Sequence, residues 1–94
     1  MKSDNLVQLS GFLTKDVITN EKKSFAAFTI GRKIGEETMY MSCIAFPSQK
    51  FKIPFDILAK GNEVFVAGYL RSNNYTKDGV KHCSIQLVAE KIRE

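Results

Sequence analysis

Apolar and polar residues alternate along much of the chain, and the alternation predicts β-strands. Between residues 38 and 46, Met39, Met41, Cys43 and Ala45 are apolar, whereas the residues between them mix polar groups with aromatic rings. Successive side chains of a strand point to opposite faces, so this segment has one face for a core and a second face of rings among polar groups. Five such strands are predicted, at residues 6–14, 25–34, 38–46, 63–72 and 81–92.

Turn and helix signals separate these strands. The polar residues 20–23 are typical of a hairpin tip. Residues 49–60 lose the two-residue period, and their apolar side chains favour a short helix that Pro54 keeps from extending and Gly61 ends. Residues 73–79 are interpreted as a loop because they are polar and finish in an Asp–Gly turn signal.

The order of these elements predicts an all-β fold, a five-stranded Greek-key barrel of the oligonucleotide-binding (OB) type with one short helix between strands 3 and 4. Five strands are too few for a sandwich, and a doubly wound sheet would need long helices. The chain of 94 residues is expected to be a single domain over 1–94. Buried side chains are expected at the inward positions Met41, Cys43, Val64, Val66, Leu70, Ile85 and Leu87.

The composition is that of an ordinary globular protein with a moderate basic excess. The chain is 44% hydrophobic and 26% charged, and its net charge of +4 fits a polyanionic partner without requiring one. No apolar run approaches the roughly 18 to 20 residues that span a bilayer, so no membrane partner is expected. Cys43 and Cys83 lie in apolar strands and are interpreted as reduced core thiols of a cytoplasmic protein.

The sequence favours no catalytic residue, no metal site and no cofactor. The single histidine, His82, has no nucleophile or carboxylate at a recognisable spacing. The spacing of Cys43, His82 and Cys83 is unlike that of zinc ligands. Residues 31–35 lack the ending of a phosphate-binding loop, and they do not join a strand to a helix.

Binding residues are better supported. Tyr40 and Phe46 are six positions apart and therefore share one face of a strand. Single-stranded nucleic acid is bound by such a mixture, because rings stack on bases while cations follow the phosphates. The residues alone leave open a second layer of core or a subunit interface, and Tyr69 is given a structural role. The basic residues near the rings are Arg32, Lys33, Lys50, Lys52, Arg71, Lys77 and Lys81.

Four segments in order carry a family resemblance: "LSGFLTKD", "FAAFTIGRK", "MYMSCIAF" and "LAKGNEVFVAGYLRSNNYTKDG". From Leu6 to about Glu90, the sequence resembles the DNA-binding domain of the bacterial single-stranded DNA-binding protein family. The last segment is the most specific, since it repeats the pattern of Leu, a basic residue, Gly, a strand, Gly, any residue, Leu and Arg, followed by an aromatic and a Gly turn.

The resemblance implies which residues bind DNA. The base-stacking aromatics of the family correspond to Tyr40, Phe46 and Tyr75, and Arg71 matches a basic residue along the DNA path. In many relatives the first and third aromatics are tryptophans, which implies that each base is held less tightly here. The predicted DNA-binding residues are Tyr40, Phe46, Tyr75, Arg71, Arg32, Lys33, Lys50 and Lys77.

The resemblance also implies a function and partners. The expected function is sequence-independent binding and protection of single-stranded DNA in replication, recombination and repair, by a homo-oligomer. A tetramer of two dimers is expected, with a dimer as the alternative, and replication or repair proteins are candidate partners. The family's acidic-tipped tail has no counterpart, so the chain is interpreted as a truncated domain or a tail-less phage, plasmid or mobile-element relative.

Two alternatives remain open. The first is an accessory protein similar to primosomal replication protein N, a tail-less dimer of similar size and fold that binds DNA weakly and bridges other replication proteins. The second is an OB-fold module for protein interaction, in which Tyr40 and Phe46 fill an interface rather than stack on bases.

Overall fold

Five strands form a closed barrel in the computed structural model, which describes residues 6–94 except for the side chain of Asn73. The strand order around the barrel is β1-β2-β3-β5-β4, and β4 pairs with β1 to close it. Only β3 and β5 run parallel, and the other four pairings are antiparallel. The strands are β1 (Val7–Leu13), β2 (Ala26–Ile34), β3 (Glu37–Ala45), β4 (Glu63–Lys77) and β5 (Val80–Arg93). The predicted all-β, five-stranded barrel is therefore confirmed.

The short helix expected between strands 3 and 4 is a small 3₁₀ turn, Phe55–Ile57. Its backbone bonds span three residues, from the Ile57 amide to the Pro54 carbonyl and from the Leu58 amide to the Phe55 carbonyl. The turn still has a packing role, because Leu58 directly after it is buried in the core and Ile57 packs against that core.

The inward faces of the strands build the core. Of the residues predicted to lie there, Cys43, Val64, Val66 and Leu87 are buried, and Met41 and Leu70 are half-buried. The prediction for Ile85 is wrong, because 57% of this residue is exposed. β3 pairs with β5 from Cys43–Leu87 to Ala45–Ala89, so Ile85 lies beyond the end of that pairing, where the barrel no longer encloses it.

β4 and β5 continue past the barrel as a two-stranded hairpin, which we call the arm (residues 72–85). Its described side chains are all exposed. The loop predicted at 73–79 is wrong, because pairing continues to Lys77–Val80 and only Asp78 and Gly79 turn, both with positive φ as in a tight hairpin. Cys83 lies in the arm and is exposed, so the prediction of two core thiols holds only for Cys43.

A β-bulge interrupts the same ladder inside the barrel. Gly68 pairs with Ala89 and Ala67 pairs with Lys91, which leaves Glu90 as the extra residue of β5. A Cβ on Gly68 would collide with the carbonyl oxygen of Val88, so a glycine is needed where the strands approach so closely.

Candidate nucleic-acid interface

The outer face of β3 presents two exposed rings. Tyr40 is 63% exposed, and Phe46, the residue that follows the strand, is 44% exposed. Cys43 and Ala45 on the opposite parity are buried, so the alternation directs these two rings away from the core. The outer face of β3 therefore carries an aromatic ring near each end.

An arginine lies over one of these rings. The guanidinium carbon of Arg71 is 5.6 Å from the centroid of the Phe46 ring, a cation–π contact. The Nε and Nη2 atoms of Arg71 donate hydrogen bonds to Oε1 of Gln86 at 3.4 and 3.3 Å. Arg71 and Gln86 are register partners on β4 and β5, so the cross-strand pair holds the cation beside the exposed ring.

Next to Phe46 is a cleft of about 390 Å³, which we call the Tyr69 cleft. Tyr69, to which the sequence pattern assigns a structural role, is 39% exposed and shares this cleft with Phe46 and Lys50. Its outward parity, two positions before Arg71, was the available signal. The lining of the cleft includes Phe46, Lys50, Phe51, Tyr69, Val88 and Glu90.

At the other end of the outer face, Phe12 is a further exposed ring, which was not among the predicted site residues. Phe12 pairs with Gly31, and Gly31 pairs with Tyr40, so the three residues stand side by side on β1, β2 and β3. The Phe12 ring covers Gly31, since a Cβ there would lie 3.3 Å from its Cζ atom. The available signal was that Phe12 lies between the inward-facing Gly11 and Leu13.

Two of the predicted basic residues lie beside Phe12. Arg32 and Lys33, on β2, line a cleft of about 310 Å³ together with Phe12. The Nη1 atom of Arg32 donates hydrogen bonds to the hydroxyl and the carbonyl oxygen of Ser10, at 2.9 and 3.3 Å. These contacts fix one cation near the Phe12 end of the face.

Tyr75 lies on the arm, apart from the rings of the barrel. Its ring stacks on that of His82, its register partner, with centroids 5.0 Å apart and planes 12° from parallel. Lys81 lines the same shallow cleft, and Lys77 precedes the turn of the arm. The predicted site residues therefore fall in two places, the outer face of the barrel and the arm.

The remaining chemistry is sparse. Burial raises the pKa of the Cys43 thiol to about 12, so the thiol stays protonated at neutral pH and is a poor nucleophile. Within residues 6–94, no three His, Cys, Asp or Glu side chains are grouped closely enough to hold a metal ion. The part of the chain that the structure describes also contains no helix that is long and apolar enough to cross a membrane.

A model of the single-strand binding protein family matches residues 4–94. The chain belongs to the single-strand binding protein family. The resemblance found in the sequence is thereby confirmed over almost the whole chain. No curated protein sequence matches the chain closely enough to count as a relative.

Solved structures of this family have a similar fold. The Plasmodium falciparum SSB, in its complex with ssDNA, has a TM-score of 0.76 at 16% identity, over 99% of this chain and 94% of that chain. The mitochondrial single-stranded DNA binding protein of S. cerevisiae has a TM-score of 0.75 at 16% identity, over 97% of this chain and 95% of that chain. At such low identity, the likeness shows the fold alone.

Proposed function

We propose that the protein binds single-stranded DNA, without regard to base sequence, along the outer face of its barrel. It does so as a binding protein and not as an enzyme. The observation that carries the proposal is the Arg71 guanidinium over one face of the exposed Phe46 ring, because a cation that can meet a phosphate then lies 5.6 Å from a ring whose opposite face can stack on the adjoining base. Membership of the single-strand binding protein family supports the same function.

The bound DNA strand follows the line of exposed rings on the outer face of the barrel. Tyr40, Phe46 and the added Phe12 offer flat faces to successive bases, and every base has a π-face, so the contacts do not depend on sequence. Arg32 and Lys33 supply cations at the Phe12 end, where they share its cleft. At the other end of the line the cations are Lys50 and Arg71.

The arm adds a secondary contact. Tyr75 has one face against His82, which leaves the opposite face of the ring for a base. Lys77 and Lys81 bring positive charge close to it on the same hairpin. This contact is weaker than those of the barrel because the arm has no core beneath it.

We further propose a homo-tetramer built from two dimers, which protects single-stranded DNA during replication, recombination and repair and meets other proteins of those processes. Support for the assembly comes from the resemblance to the bacterial single-stranded DNA-binding proteins. Light scattering measures the mass directly. A dimer that binds DNA weakly would instead favour the accessory role similar to that of primosomal replication protein N.

The binding proposal is tested by fluorescence anisotropy with labelled oligonucleotides. A (dT) strand and a mixed-sequence strand of equal length should bind with similar affinity, and the corresponding duplex should bind more weakly. The logarithm of the affinity should fall with the logarithm of the salt concentration by roughly 0.7 per phosphate contact. Arg71→Ala should weaken binding to both strands and reduce that slope by about 0.7.

Lys23→Ala is the matched control. The Nζ atom of Lys23 lies 5.3 Å from the centroid of the Phe55 ring, the same kind of contact as that of Arg71, but Phe55 belongs to the 3₁₀ turn and neither residue lines the clefts of the outer face. The variant should leave affinity and salt slope close to those of the native protein. Absence of DNA binding by the native protein would contradict the proposal and favour the protein-interaction module.

A further inference from the structure

The Tyr69 cleft has a lining that suits a flat ring. The exposed residues Phe46 and Tyr69 line it, and so does the buried Val88. Its volume of about 390 Å³ is at the lower end of the range of roughly 300 to 1,000 Å³ for small-molecule sites. The cleft therefore has room for one nucleobase, to which its two rings offer apolar surface.

A carboxylate is directed to this cleft by the bulge in β5. Glu90 is the extra residue between the pairs Gly68–Ala89 and Ala67–Lys91, and bulges characteristically redirect a side chain. The close approach of the strands at Gly68 fixes the position of the bulge, because any larger residue would collide with the Val88 carbonyl. Glu90 is exposed and lines the cleft together with Lys50 and Tyr69.

The negative charge of Glu90 repels the phosphates of the DNA but not its neutral bases. The carboxylate of Glu90 repels a phosphate, whereas Lys50 in the same cleft and Arg71 over Phe46 attract one. The phosphates of a bound strand are therefore favoured next to the two cations. The position next to Glu90 is left for a neutral base.

We propose that the Tyr69 cleft holds one base of the bound strand and that Glu90 makes it favour bases with an exocyclic amino group over thymine. An ionised carboxylate accepts hydrogen bonds and cannot donate them. At the exocyclic edge, cytosine and adenine present an amino donor where thymine presents a carbonyl oxygen, so the selectivity applies to a base whose exocyclic edge faces Glu90. This inference rests on the proposed function and adds one selective position to a surface that is otherwise indifferent to sequence.

The test compares labelled (dC) and (dT) oligonucleotides of equal length by anisotropy, with the native protein and with Glu90→Gln. Strand flexibility and base stacking also affect each affinity, so the informative quantity is the ratio of the Kd for (dT) to the Kd for (dC). Glutamine keeps the size of the side chain but donates to thymine as readily as it accepts from cytosine. The ratio should fall by roughly three- to tenfold, the worth of one hydrogen bond. Glu90→Lys, which places a donor there, should lower it further.

Glu21→Gln is the control for net charge, since Glu21 is exposed in the turn that precedes β2. It should leave the ratio unchanged. An equal change in both glutamine variants, or no change in Glu90→Gln and Glu90→Lys, would overturn the inference while the native protein's binding to both strands upholds the proposed function. Failure of the native protein to bind either strand would overturn both.

Discussion

β4 and β5 form one continuous ladder whose two halves differ in burial. In the barrel half, the side chains of Val64, Val66 and Leu87 are buried, whereas the described side chains of the arm are exposed. Apart from the bulge at Glu90 in the barrel half, antiparallel backbone pairing runs through both halves and extends to Lys77–Val80. A two-stranded hairpin without a core is only marginally stable in water, so the barrel half stabilises the fold and the arm is mainly surface.

The two cysteines give the largest expected difference between the barrel and the arm, because Cys43 lies on β3 of the barrel and Cys83 lies on the arm. Cys43 is buried with a pKa raised to about 12 from 9.0, which lowers its thiolate fraction at neutral pH by about a thousandfold, whereas Cys83 on the arm is exposed. A chromogenic disulfide reagent should label one thiol per chain quickly in the native protein and the second only after denaturation. Cys83→Ser should remove the fast phase.

Comparable labelling rates for the two thiols in the native protein would contradict this assignment. Such rates would mean that the barrel opens near Cys43 often enough for the reagent to reach this thiol as readily as it reaches Cys83 on the arm. Slow labelling of both thiols would mean that the arm is covered, as it would be in a subunit contact. Dilution tests for such a contact: a subunit contact weakens on dilution, so the labelling of Cys83 would become faster.

Leu87 and Ile85 provide the next largest contrast, since they share one strand and one parity. Leu87 is fully buried, whereas Ile85 is 57% exposed. Leu87→Ala should lower the free energy of unfolding by roughly 2 to 5 kcal/mol through lost burial and the cavity that remains. Ile85→Ala should change it by less than about 0.5 kcal/mol, as exposed substitutions usually do.

Urea unfolding of the two variants measures this contrast. Similar losses for both would show that Ile85 is buried against a partner surface in solution. In that case the loss for Ile85→Ala should shrink as the protein is diluted, whereas the loss for Leu87→Ala should persist.

The difference in burial between the barrel and the arm also explains which elements the sequence pattern predicted correctly and which it did not. Alternation reports burial on one face, so it located the strands of the barrel and the inward positions Val64, Val66 and Leu87. The arm has polar residues on both faces, and its first strand was therefore mistaken for a loop at 73–79. Ile85 was placed in the core because its parity is right, although alternation does not show where the barrel ends.

The candidate site was predicted in part for a related reason. Tyr40, Phe46 and Arg71 come from strands whose parity is readable, and the structure brings Arg71 onto Phe46. The outward parity of Phe12 is readable too, but its place beside Tyr40 and the direction of Glu90 depend on features that no local pattern reports. Phe12 is near Tyr40 through the pairing of three strands, and Glu90 is directed by a bulge whose position depends on the approach of β4 to β5.

Phe46 tests whether the exposed rings of the barrel bind DNA. Phe46→Ala should leave the melting temperature nearly unchanged, because the ring is 44% exposed, and should weaken binding of (dT) by roughly 1 to 3 kcal/mol. Phe55→Ala is the matched control, since Phe55 also lies under a cation, Lys23, but belongs to the 3₁₀ turn and lines neither cleft of the outer face. Its binding per folded molecule should be that of the native protein. A lowered melt with unchanged binding for Phe46→Ala would instead assign this ring to an interface.

Tyr75 should give the smallest effect, because its ring belongs to the arm. Tyr75→Ala should weaken binding by less than about 1 kcal/mol, since ordering a hairpin without a core offsets part of the stacking energy. His82 stacks on one face of Tyr75, so His82→Ala should act through that ring, and the double variant should bind no worse than Tyr75→Ala alone. Additive losses would give His82 its own contact with DNA. A loss for Tyr75→Ala that exceeds the loss for Phe46→Ala would reverse the comparison, because the arm would then be the main binding surface and the outer face of the barrel its support.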